Sequence, residues 1–73
     1  MKTGTIMDII PDKGMPTEYI IIFSSEKGLD RTKPLRGAIN IKLHPGTLIK
    51  YDEDNIYEVD GKTLIGDIIG EFK

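Results

Sequence analysis

The chain has 73 residues, enough for one domain around one core and too few for a two-domain enzyme. Hydrophobic residues make up 38% and charged residues 30%, the balance of an ordinary folded domain, which excludes a disordered chain. The net charge of −2 conceals a segregation, since residues 1–26 sum to −2, residues 27–50 to +5 and residues 51–73 to −5. Cysteine is absent, so no disulfide or thiolate metal site staples the core, a usage that fits a reducing compartment. The longest uninterrupted apolar run, Tyr19 to Phe23, is five residues, far short of a membrane span or a signal-peptide core. The expectation is a cytoplasmic protein of one domain, residues 1–73, without a membrane partner.

Along the chain, glycine and proline punctuate short runs of β-forming residues. Gly4 to Ile10 is the first run, and Pro11-Asp12-Lys13-Gly14 after it suits a tight turn, because proline fixes φ and glycine accepts positive φ. Glu18 to Ser24 is almost wholly apolar and β-branched, as in a central strand covered on both faces. Residues 25–37 show no apolar period and contain two breakers, which predicts a long basic loop. Ile39, Ile41 and Leu43 then alternate with Asn40, Lys42 and His44, predicting a strand with the first set on the core and the second in water. Thr47 to Tyr51 and Ile56 to Val59 are further short strands, and Asp60-Gly61 turns the chain into a last segment from Lys62 to Phe72. No window supports a helix of useful length.

Five or six short strands in so few residues leave open edges and a shallow core unless the sheet closes on itself. The expected fold is therefore all-β, a small closed five-stranded barrel of the OB type, with an SH3-like barrel as the alternative.

The chain carries little that suits catalysis. With one histidine, no cysteine and two adjacent serines that a strand would point to opposite faces, a nucleophilic triad does not assemble from sequence. Asp52-Glu53-Asp54-Asn55 is rich in oxygen ligands yet lacks the spacing of a calcium loop, and no phosphate-cradling glycine motif is present. The reading is a non-enzymatic protein without a metal or cofactor. What stands out is the cationic middle third: Lys27, Arg31, Lys33, Arg36, Lys42 and Lys50 face a single acid, Asp30. If folding gathers these cations on one face, that face attracts phosphate or an acidic surface.

Residues 4–14, Gly-Thr-Ile-Met-Asp-Ile-Ile-Pro-Asp-Lys-Gly, resemble without a gap the opening G-T-V-x-x-x-x-P-E-K-G of cold-shock domains. Ile39 to Leu43 is similar to that family's V-F-V-H-F strand, Gly46 to Tyr51 to its G-x-x-V-x-F strand, and Ile65-Gly66-Asp67-Ile68 to its A-x-N-V ending. The resemblance implies an OB-type barrel that binds single-stranded nucleic acid by stacking bases on aromatic rings. Several of those rings are missing here: Asp8 stands at the family's tryptophan, Asn40 at a stacking phenylalanine and Lys42 at the histidine, and Tyr19 is the one aromatic near the first turn. Each stacked base is worth about 1–3 kcal/mol, so binding would rest on phosphate contacts. The expected binding residues are Lys13, Tyr19, Lys27, Arg31, Lys33, Arg36, Asn40, Lys42 and His44. The partner is single-stranded RNA or DNA or, as the alternative, an acidic protein such as a polymerase or a nuclease.

Overall fold

The computed structural model describes residues 1–12, 14–36 and 43–71, and for residues 15–17, 36 and 71 the backbone alone. Among these residues the β-forming runs become seven strands: β1 Lys2–Asp12, β2 Met15–Ser25, β3 Gly28–Thr32, β4 Leu35–Arg36, β5 Leu48–Tyr51, β6 Asn55–Glu58 and β7 Leu64–Glu71. The described residues include no helix, and so none long and apolar enough to cross a membrane.

Six of the strands close into a barrel in the order β1-β5-β6-β7-β3-β2, and β2 returns to β1. Every pairing in the ring is antiparallel. Strand direction must alternate around such a ring, so the number of strands has to be even; a ring of five would need one parallel pair. The small closed all-β barrel expected from the sequence is present, with six strands in place of five. One strand of the ring, β3, comes from the segment that reads as a loop.

The core follows from alternation along the strands. Ile6, Ile21, Phe23, Ile49 and Ile56 are fully buried, Tyr19 and Tyr51 are 8% exposed, and Ile9, Leu35, Leu43, Ile65 and Ile68 pack around them. Phe23 and Tyr51 meet with ring centroids 5.7 Å apart and planes tilted by 50°, a favourable aromatic geometry. On β2 the outward-facing Ile22 is also buried, at 3%, with Ile20 and Ser24 beside it half-buried, so the outer side of this strand is covered in part. The first hairpin turns where expected, with Asp12 opposite Met15.

The expectation of a long loop at residues 25–37 is overturned over its described part, residues 25–36. Leu29, Asp30 and Arg31 pair with Ser24, Phe23 and Ile22 of β2, and Asp30, Arg31 and Thr32 pair with β7 on the other side. The apolar period is missing because the inward positions are polar and satisfied. Asp30 is 8% exposed and Thr32 fully buried; Ser25 Oγ donates to Asp30 Oδ2 at 3.0 Å, and Thr32 Oγ1 accepts the Ile21 N–H at 3.1 Å. Beyond Lys33-Pro34 the pairing with β2 resumes at Tyr19 with Leu35, one residue out of step, since proline cannot donate to a ladder. The expected strand at residues 39–43 falls outside the described residues except for Leu43, half-buried against the core.

Two glycines permit close approach. A Cβ on Gly4 would lie 2.3 Å from the Ser24 backbone oxygen, and one on Gly66 would lie 2.5 Å from a Leu35 methyl. Gly4→Ala therefore meets immovable backbone and should cost about 1–3 kcal/mol, whereas Gly66→Ala meets a side chain that can turn and should lower the melting temperature less; thermal unfolding of the two variants tests the order. Thr32→Val should destabilise by about 1–3 kcal/mol by stranding the Ile21 N–H. Thr32→Ser, which keeps the acceptor, should lose only about the 0.8 kcal/mol of a buried methylene, as read by urea denaturation.

Candidate functional site

The turn at Glu26-Lys27 and strand β3 place Lys27, Leu29, Arg31 and Lys33 at alternate positions, with Asp30 and Thr32 turned into the core between them. Lys27 and Lys33 are exposed, Arg31 is half-buried and Leu29 is 40% exposed. Arg31 is on β3 itself, Lys27 precedes it in the turn before Gly28, whose φ is +113°, and Lys33 follows its last residue, so three cations lie on and beside one strand. Their side chains have no ion-pair partner among the described residues. The backbone beneath them is held on both sides, by the ladders to β2 and β7 and by Lys33 N–H donating to Asp67 O at 2.9 Å.

The other expected binding residues divide. Tyr19 is a correction: it is 8% exposed and belongs to the core cluster, because its place on β2 opposite Pro11 and Leu35 points it inward. It offers no ring to a base. His44 is exposed, with its N–H donating to Thr47 Oγ1 at 3.2 Å and its Nδ1 lying 2.9 Å from Pro45 O, which fixes it as part of a local turn. Arg36 lies in β4 opposite Glu18 in backbone register. Lys13, Asn40 and Lys42 lie outside the described residues, as does the Arg36 side chain. Of the described aromatics Tyr19, Phe23 and Tyr51 are buried, and Tyr57 is half-buried with its hydroxyl 3.3 Å from Asp52 Oδ2.

One end of the barrel holds a cleft of about 710 Å³ that the sequence does not announce, because its walls come from β1, the β2–β3 turn, the end of β5 and β7. Glu26, Asp30, Asp52 and Glu53 line it against Lys2 and Lys27. Lys2 is ion-paired with Glu26, whose hydrogen bond holds the ammonium above its ordinary pKa. Tyr51 Oη accepts the Glu26 N–H at 3.0 Å and ties the turn across the barrel end. Four carboxylates outnumber the two lysines in the cleft, and Lys27, in the turn, borders both the cleft and the outer face of β3. Among the described residues no group of three or more acidic or histidine side chains is placed to hold a metal ion.

The acidic stretch after β5 is built into turns. Asp52 Oδ1 accepts the N–H groups of Asp54 at 2.9 Å and Asn55 at 2.8 Å, and Asp60 Oδ1 accepts those of Lys62 at 2.8 Å and Thr63 at 3.0 Å while its Oδ2 takes the Thr63 hydroxyl. For Asp52 the Asp54 and Asn55 N–H groups, and for Asp60 the Thr63 and Lys62 N–H groups, hold the carboxyl below the ordinary range. Both aspartates are thus turn builders.

Comparison of the chain with protein-family models, with curated proteins and with solved structures finds no match. The cold-shock resemblance rests on the sequence motifs, and a functional reading rests on these cations and the cleft.

A pH prediction follows from the two turns. A carboxylate with a depressed folded pKa adds stability that is present above its unfolded pKa and lost as pH falls through the folded value. Asp60→Ala should therefore lower the melting temperature at neutral pH, and by less once the carboxyl is protonated in the folded and unfolded states. Carbon-detected NMR titration should find Asp52 and Asp60 titrating below the ordinary carboxylate range.

Proposed function

We propose that the protein is a non-enzymatic binding module of cold-shock type that holds single-stranded nucleic acid by its phosphates along β3. The observation that carries this reading is the group of Lys27, Arg31 and Lys33, the two lysines exposed and the arginine half-buried, none ion-paired among the described residues, on and beside a strand braced from both sides. Cations on a braced backbone need less reordering when they meet a chain of phosphates. With Tyr19, Phe23 and Tyr51 in the core, affinity would come from charge, which makes binding salt-dependent and indifferent to base sequence.

A second reading is favoured by Leu29, 40% exposed between the cations. A face that sets charge beside an aliphatic side chain also suits an acidic protein surface, where the leucine would be buried on contact.

Titration of labelled single-stranded DNA and RNA at several salt concentrations tests both. Three phosphate contacts give a log-log salt slope of about −2 for a single strand. Reversal of Lys27, Arg31 and Lys33 to Glu should abolish the shift while circular dichroism stays that of the wild type. No binding of either nucleic acid at low salt would remove the first reading, and a shallow salt response with defined stoichiometry toward an acidic protein would favour the second.

A further inference from the structure

The cleft at the barrel end holds a buried charge without a counter-ion among the described residues. Asp30 lines it and is itself only 8% exposed. The Ser25 hydroxyl donates to Oδ2, which satisfies the group with one hydrogen bond and leaves its charge uncompensated. Among the described residues Oδ1 has no hydrogen-bond partner and the carboxylate forms no ion pair. A further acidic residue, Glu71, stands opposite Asp30 in backbone register. Of the two lysines in the lining, Lys2 is held by Glu26, and Lys27 is exposed in the turn. A nearly buried carboxylate is costly without a counter-charge, so the cleft favours a cation that comes from outside.

The rest of the lining sets the kind of cation. Among the described residues the acidic groups are not gathered as a metal ion requires. The volume of about 710 Å³ is that of a small-molecule site, which typically spans roughly 300–1,000 Å³. Met1, Ile68 and Ile69 supply hydrocarbon surface in the same lining. A charged end with several N–H donors on an apolar body matches this combination.

We propose that the cleft binds small aliphatic amines in their protonated form, with the ammonium on Asp30 and the hydrocarbon against Ile68 and Ile69. The site is distinct from the cations on and beside β3, and it does not depend on nucleic-acid binding.

The test titrates pentylammonium and 1-pentanol, which share a carbon chain and differ in charge, into isotope-labelled protein at neutral pH, followed by NMR. The wild type, Asp30→Asn and Glu58→Gln are compared. In the wild type, pentylammonium should give saturable shifts of the Ser25, Asp30 and Gly70 amides and bind at least about tenfold more tightly than 1-pentanol, the minimum for a hydrogen-bonded charge pair. Asp30→Asn keeps the shape and removes the charge, and should lose at least about tenfold in affinity for the amine. Glu58→Gln makes the same change of net charge outside the lining and should bind as the wild type does. The proposal is overturned by the absence of saturable shifts, by a smaller preference for the amine over the alcohol, or by Asp30→Asn binding no more weakly than Glu58→Gln. If Asp30→Asn fails to fold, the wild type decides: the tenfold preference with saturation at those three amides supports the proposal, and anything less overturns it.

Discussion

Closure of the barrel depends on strand β3 using both of its edges at once. Asp30 and Arg31 pair with Phe23 and Ile22 of β2 on one side and with Glu71 and Gly70 of β7 on the other. At Thr32 the ladder to β2 stops while that to β7 continues to Ile68, and the Thr32 hydroxyl takes the Ile21 N–H that the ladder leaves over. Beyond Pro34 the pairing with β2 resumes at Leu35 with Tyr19, one residue out of step. A single buried hydroxyl thus satisfies the amide at which the β2–β3 ladder is interrupted. The inward direction of Asp30 and Thr32, and with it the outward direction of Arg31, follows from the same arrangement.

The parts of the fold legible in the sequence were those whose inward residues are apolar. Tyr19 to Phe23 could only be a central strand, and the Pro11 to Gly14 turn, β5 and β6 followed from ordinary punctuation and alternation. Strand β3 was hidden because its inward face is Asp30 and Thr32, and a polar pair satisfied by Ser25 and by the Ile21 amide gives no apolar period. Tyr19 was misread for the opposite reason. Proximity to the first turn suggested a platform for a base, while the register with Pro11 and Leu35 sends the ring inward. Of the candidate site, the cations were visible as composition, but the grouping of Lys27, Arg31 and Lys33 becomes evident only once β3 is a strand. The cleft left no local signal, since its walls come from both ends of the chain.

The segregation of charge along the sequence survives folding as a division of surfaces. Lys27, Arg31 and Lys33 of the middle third lie on or beside β3, while Asp52, Glu53 and Asp60 of the last third occupy turns or line the cleft. Asp52 and Asp60 spend their charge on backbone N–H groups of their own turns. Part of the acidity of the C-terminal third is therefore structural.

The topology also has a kinetic meaning. Strands β1, β2 and β3 form one three-stranded meander and β5, β6 and β7 another, each from neighbouring segments of chain. The two seams that join them, β1 with β5 and β3 with β7, bring together segments roughly forty residues apart in the sequence. Local hairpins form quickly, but the seams carry the loop-closure entropy of the whole chain, so meeting of the two halves sets the folding rate. Until they meet, each meander exposes one side of a core that only the other can cover.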